Sequence, residues 1–376
     1  MVARERSVLE LLGRTLETKL FHAFGRPTAL PMSITVGVTN ECNSRCATCG
    51  IWRHPPEGPI KEFTIEEYDR TFRSIRHRPF WLTITGGEPF LRDDLAEICL
   101  LAAKQCKPGV ITIPTNGSLP HLIADRMKHM LEAIDDTILM VNLSLDGVGE
   151  KHDRIRGLPG SYERFSETYK LLSELTRAYP NFQLGIHTVI SKFNIDDAFE
   201  VCSLVQSLRP DTHVVEVAEE RSELFNLGWN VTPEAHEYAK TMVGLRSVFE
   251  NLPGRRTLMA RIIQACRLAY YEISARELLE EKQVIPCYAG YASCQVTPVG
   301  DVWPCCVHGY NMVMGSLRDV NYDFEAVWSS QKAAEVRRFI KDKKCSCPLA
   351  NAHYTSMIFD IPTVARIFSE LLLRSP

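Results

Sequence analysis

The chain has 376 residues, of which 45% are hydrophobic and 24% charged, and its formal net charge is -3. These values describe an ordinary globular protein with a sizeable core and give no electrostatic reason for a nucleic-acid partner. No apolar run approaches membrane-spanning length, so no transmembrane segment is expected.

In the N-terminal stretch, Val8, Leu9, Leu12, Leu16 and Leu20 fall on one broad helical face. A helix packed on its own domain is the expectation, ahead of contact with a membrane surface. The stretch lacks the compact apolar core and cleavage site of a secretory signal, which points to a cytoplasmic protein. The short run "KDKK" at 341–344 reads as a solvated helix end.

From residue 33 strands and helices alternate. Strand 33–38 is followed by the loop "TNECNSRCATCGIW", then a helix capped by Thr64 with Glu67 three residues on. Strand 80–85 ends in "GGEP", helix 92–106 follows, and strand 109–113 ends in "PTNG". After helix 119–133, strand 138–145 ends in "DG". Helix 161–178, strand 182–190, helix 195–207 and strand 213–218 complete six βα repeats, which require a parallel sheet. All four unusual stretches follow strand C-termini, where α/β folds build their sites. Residues 232–284 read as helical, with Tyr270 and Tyr271 in a lid, a substrate wall or simple packing. From Pro286 a module rich in cysteine, glycine and aromatics begins, with a hairpin bending at Gly300-Asp301 and helices at 323–340 and 362–373.

Thirteen cysteines, an odd number, fall into two groups. Cys42, Cys46 and Cys49 form one; Cys287, Cys294, Cys305, Cys306, Cys345 and Cys347 form the other. Cys99, Cys106, Cys202 and Cys266 lie in expected helices and read as small buried hydrophobes. Clustering without a signal peptide points to metal in a reducing compartment. The first spacing lets one loop wrap three corners of a cubane and leaves one iron open. A zinc knuckle completed by His54 or a distant cysteine has the same spacing, and a zinc ribbon is the alternative for the second group.

The cysteine loop and "GGEP", with "TNG" at 115–117, "SLDG" at 144–147 and "HDRIRG" at 152–157, resemble the radical S-adenosylmethionine (SAM) superfamily. The C-terminal group resembles its SPASM or twitch auxiliary modules. This resemblance implies a partial (β/α)6 TIM-like barrel over 33–220, a helical insertion at 221–285 and an auxiliary module over 286–376, after an N-terminal helical segment at 1–32. It implies that Cys42, Cys46 and Cys49 hold a [4Fe–4S] cluster whose free iron is chelated by SAM. Reductive cleavage then gives a 5′-deoxyadenosyl radical that abstracts a substrate hydrogen. Gly86, Gly87 and Glu88 would meet the methionine amine, Ser144 and Arg156 its carboxylate or the ribose, and Asn116 would brace the mouth.

Many members carry an aromatic residue before the third cysteine. Here the position is Thr48, and Trp52 either stacks on adenine or packs in the core. Cys287, Cys305, Cys345 and Cys347 are the implied ligands of one auxiliary [4Fe–4S] cluster, with Cys294 and Cys306 open. The full SPASM pattern has seven cysteines, against six here.

The expected activity is oxidation, epimerisation or rearrangement of a small-molecule, glycan or lipid-linked substrate, with an electron donor such as flavodoxin or ferredoxin. About 30 residues precede the first strand, too few for a leader-binding domain, which ranks a peptide substrate second. A non-catalytic iron–sulfur carrier or a zinc-stabilised interaction module is the reading from another class, but a carrier gains nothing from an open iron.

Overall fold

Alternation in the strand sequences decides the architecture. Ile34, Val36, Val38, Leu82, Ile84, Ile111, Ile113, Leu139, Val141, Leu143, Leu184 and Ile186 belong to the main hydrophobic core. Successive side chains of a strand point to opposite faces, so the intervening residues turn the other way. These are largely polar, and include Thr35, Thr83, Thr112, Asn142, Ser144 and His187. One face of the sheet is therefore sealed by helices and the other lines a polar interior.

The structure, a computed structural model, describes residues 2–25, 28–53, 61–250 and 258–373. The strands are β1 (Ser33–Thr39), β2 (Trp81–Gly86), β3 (Val110–Thr115), β4 (Ile138–Ser144), β5 (Phe182–Ile190), β6 (Thr212–Val217), β7 (Ser293–Val296), β8 (Asp301–Trp303) and β9 (Gly315–Ser316). Their order across the single sheet is β6-β5-β4-β3-β2-β1-β7-β8-β9. The first six run parallel, as a partial barrel of βα units requires. β7 also pairs in parallel with β1, Ile34 opposite Cys294 and Thr35 opposite Gln295, and β8 and β9 continue antiparallel. The C-terminal cysteine-rich hairpin is thus an extension of the barrel sheet.

The helices follow local signals. Thr64 caps Ile65–Ser74 in a complete capping box with Glu67. Two helices go beyond the sequence expectation, Glu150–Arg156, which overlaps "HDRIRG", and Ala350–Met357. The expected helix at 323–340 divides into Phe324–Trp328 and Gln331–Lys341, because Ser330 caps a new helix through Ala333 N–H. The segment after β6 contains helices Ala235–Glu250 and Leu258–Glu280. Tyr270 and Tyr271 are buried in the core those helices share with β6, so their role is packing. Cys99, Cys106 and Cys202 are buried as expected, whereas Cys266 is only partly so.

The first helix, Val2–Phe24, packs on its own fold; of the expected face, the side chains of Val8, Leu9 and Leu12 lie outside the described residues. Phe21 joins Met32, Tyr288, Tyr291 and Phe359, with Leu11 alongside, while Leu16 and Leu20 are exposed. Helical periodicity identifies a stripe but not the side on which a domain meets it. Among the described residues no helix is long and apolar enough to cross a membrane.

Glycines set the closest backbone approaches. Gly157 ends its short helix at φ +58, and a Cβ there would lie 2.1 Å from the Arg45 carbonyl oxygen. Gly160, three residues on, is also left-handed at φ +71 and ψ +16, and a Cβ there would meet only the far end of the Arg164 side chain, at 3.0 Å. The two Ala substitutions therefore share the left-handed strain and differ only in the clash. Gly160→Ala should cost about 1 kcal/mol and Gly157→Ala about 2–3 kcal/mol. Equal shifts in thermal midpoint for the two variants would remove this account of Gly157.

Candidate active site

The loop bearing Cys42, Cys46 and Cys49 is irregular and leaves the end of β1. Its backbone is held from three sides. Gly87 N–H donates to Thr39 O and Glu88 N–H to Glu41 O, both at 2.8 Å. Arg45 N–H and Ala47 N–H donate to Arg156 O and Ile155 O at 3.0 and 2.8 Å. Gly50 N–H donates to Leu224 O at 2.7 Å, and Asn226 Nδ2 to Thr48 O at 2.8 Å. Cβ atoms at Gly86 and Gly87 would lie 2.2 Å from the carbonyl oxygens of Thr39 and Glu41. Those glycines are required by the loop itself, whatever ligand they also approach.

Glu88 is 1% exposed and already accepts three hydrogen bonds. Oε1 takes them from Phe90 N–H at 3.1 Å and Thr115 Oγ1 at 2.8 Å, and Oε2 from Asn116 N–H at 2.7 Å. Burial nevertheless pushes its carboxyl pKa up. A carboxylate with lone pairs to spare can still receive an ammonium. Asn116 Nδ2 donates to Asn43 Oδ1 at 2.8 Å and Ser44 Oγ at 3.1 Å, so "TNG" grips the cysteine loop directly.

On the opposite side of the mouth Arg156 Nη1 donates to Asp146 Oδ2 at 2.9 Å. Asp146 Oδ1 accepts from Val189 N–H, and Asn194 Nδ2 donates to the Asp146 carbonyl. Burial works against the Arg156 charge, but Cys46 and Asp146 outweigh it and raise the pKa. Arg156 Nε is buried without a hydrogen-bond partner. Ser144, the last residue of β4, lies opposite His187 of β5 in the sheet register. His187 Nε2 sits 3.4 Å from Glu216 Oε1 of β6. Burial disfavours both charges, yet their mutual attraction prevails, raising His187 and lowering Glu216.

The three loop thiols are pushed up by burial first, Cys42 to about 11 and Cys49 to about 12; Cys46 adds to the rise of those two, and Asp146 and Glu88 add to that of Cys46. Bare thiolates are therefore disfavoured there, as in a site where a metal cluster supplies the compensating charge. Among the described residues, no three His, Cys, Asp or Glu side chains converge tightly enough for a single metal ion. A cubane spreads its thiolates over separate irons, and three donors leave one iron for another ligand, so this donor set fits it. His54 lies outside the described residues. Trp52 carries the guanidiniums of Arg45 and Arg53 against its ring, with Arg carbons 4.5 and 4.8 Å from the centroid.

In the C-terminal region Cys287, Cys345 and Cys347 line one cavity with Glu277, Gln283 and His353. Cys305 belongs to the same thiol group: it packs with Cys287 and Cys347, and after burial Cys305 and Cys345 raise the Cys287 pKa further. Cys294 faces the opposite way, into the main core beside Ile34, as its register demands. Cys306 accepts a hydrogen bond from Arg221 Nη1 at 3.1 Å and packs with Cys287, Cys305 and Cys347 around Leu349 and Ala352. Beyond β6, Glu219 is 7% exposed, and burial pushes its carboxyl up to about 7. Glu220 instead caps the next turn by accepting from Gly228 and Asn230 N–H.

Sequence reasoning missed Asp146 as a clamp, His187, Asn194 and Asn226, and left Glu216 unassigned. "SLDG" contains the first of these; the others depend on strand register or on a loop with no motif.

Residues 36–205 match the radical SAM superfamily, and residues 287–348 match the SPASM iron–sulfur cluster-binding domain. The chain is similar to the antilisterial bacteriocin subtilosin biosynthesis protein AlbA of Bacillus subtilis (strain 168), at 23% identity over 92% of this chain and 72% of AlbA. It is similar to AdoMet-dependent heme synthase of Methanosarcina barkeri (strain Fusaro / DSM 804), at 26% identity over 84% of this chain and 86% of that protein. Among solved structures, Streptococcus suis SuiB bound to S-adenosylmethionine shares the fold with TM-score 0.56 and 19% identity, covering 82% of this chain and 68% of SuiB. The chain belongs to the radical SAM superfamily, as an enzyme with a SAM-binding [4Fe–4S] cluster and a SPASM domain for an auxiliary iron–sulfur cluster.

Proposed function

We propose that the enzyme removes a hydrogen from a substrate held between the barrel mouth and the C-terminal thiols, and completes an oxidation, epimerisation or rearrangement with its auxiliary cluster. One observation carries this reading: ionisable side chains run without a break from one cysteine group to the other. Arg156 and Asp146 lie beside Cys46, His187 and Glu216 come next, and Glu219 and Arg221 lead to Cys305, Cys306 and Cys347.

When bound, the cluster and SAM supply on one-electron reduction the 5′-deoxyadenosyl radical that abstracts hydrogen. The chain's residues orient and enclose. In this reading Cys42, Cys46 and Cys49 anchor the SAM cluster, and Gly86, Gly87 and Glu88 receive the methionine amine. Arg156, fixed by Asp146, and Ser144 hold the carboxylate or ribose, and Asn116 keeps the loop in place. Cys287, Cys305, Cys345 and Cys347 hold one auxiliary cluster. The His187–Glu216 pair and the Glu219 carboxylate are placed to hold or accept a substrate proton.

A small molecule, glycan or lipid-linked compound is the leading substrate class. The charged, confined mouth supports a compact polar group, and one relative is named for heme synthesis. The second reading is a peptide substrate. AlbA is named for bacteriocin biosynthesis, and SuiB was solved with its precursor peptide SuiA.

Two outcomes test the site. After anaerobic reconstitution with iron and sulfide, dithionite and SAM should release 5′-deoxyadenosine from the wild type, and Cys46→Ala should abolish the release. A well-formed cluster that never cleaves SAM would refute the enzyme reading. In the Cys42/Cys46/Cys49 triple Ala variant, about four irons per chain should remain for one auxiliary cluster, whereas about eight would mean two. Adding Cys294→Ala to that variant should leave the iron count unchanged, and adding Cys347→Ala should reduce it.

A further inference from the structure

Two sequence features have no part in the active site: the amphipathic first helix and the lysine run at 341–344. The fold brings them together. Lys341 Nζ donates to the carbonyls of His22 and Ala23, at 2.7 and 2.9 Å, at the C-terminal end of that helix. Lys343 and Lys344 follow it, both exposed.

The helix is apolar on two sides. Phe21 and Leu11 face the protein, with Thr18 buried between them. Leu16, Leu20 and Phe24 recur every four residues on the opposite side and are 60%, 38% and 78% exposed. Tyr288 is stacked between His22 and Phe359, at ring separations of 4.3 and 4.1 Å. Ile358 and Ile361, also exposed, therefore lie near the same helix end.

We propose that this face docks the enzyme on an anionic lipid surface. An interfacial helix combines a bulky apolar stripe with flanking basic residues and lies flat at the headgroup boundary. Lys341 sits at the C-terminal end of the helix with Lys343 and Lys344 following it, and Lys19 lies on the helix itself; the nearby acids are Glu17 and Asp342, the latter 3.6 Å from Lys344. Area argues against a second copy of the chain as the occupant. With Ile358 and Ile361, the five partly exposed side chains present roughly 500–600 Å² among the described residues. That is still below the ~800 Å² per partner that a stable complex buries. A bilayer needs no such extent, because it accepts the stripe side-on and the lysine charges together.

The test is co-sedimentation of the full chain with vesicles of phosphatidylcholine alone or mixed with phosphatidylglycerol. The wild type should bind the anionic vesicles and be released by salt. The Leu16→Gln/Leu20→Gln/Phe24→Gln variant should lose about tenfold or more in partitioning, and Lys343→Gln/Lys344→Gln several-fold. Thermal midpoint and iron content should stay near wild type, because the substituted side chains are exposed. If the triple variant is misfolded, Phe24→Gln alone serves, with the same direction expected. Absence of wild-type binding, or equal binding by the variants, overturns the proposal. So does a wild-type dimer in sedimentation velocity that the triple variant abolishes while vesicle binding is unchanged. The result is independent of SAM cleavage, so it stands or falls apart from the proposed reaction.

Discussion

The cysteine loop forms no strand, and its only helix is a single short turn after the third cysteine. The rest of the barrel mouth is organised around supplying the backbone partners it lacks. It hydrogen-bonds to the turn after β2, to the end of the Glu150–Arg156 helix and to the segment beyond β6. Each such bond contributes on the order of 1 kcal/mol net, so their sum is what keeps three buried thiols in one arrangement. Glycine is needed at Gly86 and Gly157 because the carbonyls of Thr39 and Arg45 occupy the space a side chain would take. The motifs that seem to await a ligand are first the walls that hold the loop, and Glu88 and Asn116 serve both purposes.

A closed barrel of parallel strands fills its interior with branched apolar side chains. This sheet keeps its apolar side for the helices and turns threonines, Asn142, Ser144, His187 and Glu216 inward. Thr112 Oγ1, Asn142 Oδ1 and Thr212 Oγ1 are buried there without hydrogen-bond partners. Such groups are costly unless something polar answers them. The interior is therefore a place for polar contents rather than a packed core, in keeping with a site that receives a charged cofactor and a substrate.

The βα order and the four strand-end motifs were legible because period-two alternation and crossover-length helices are local patterns. The capping box at Thr64 and Glu67 was equally so. His187 and Glu216 were not, since they lie 29 residues apart in sequence and meet only through the β5–β6 register. Cys294 and Cys306 stayed open for the same reason. One turns to the core beside Ile34, and the other packs against Cys287, Cys305 and Cys347 while accepting a hydrogen bond from Arg221. The first helix shows another limit: its stripe was plain, but Leu16 and Leu20 of it are exposed and the protein meets the helix through Phe21.

The pairing of β7 with β1 means that the C-terminal region is stitched to the barrel by main-chain hydrogen bonds along the strand that leads into the cysteine loop. The two thiol groups therefore share one frame, with Gln295 of β7 reaching Glu223 across the mouth. Hinge motion between them would break a sheet ladder. Cutting the chain before β7 would do more than delete a module. It would bare one whole edge of β1, rich in β-branched residues, and an uncovered edge of that kind invites strand-to-strand aggregation. The auxiliary region thus acts as a guard against self-association for the barrel that precedes it.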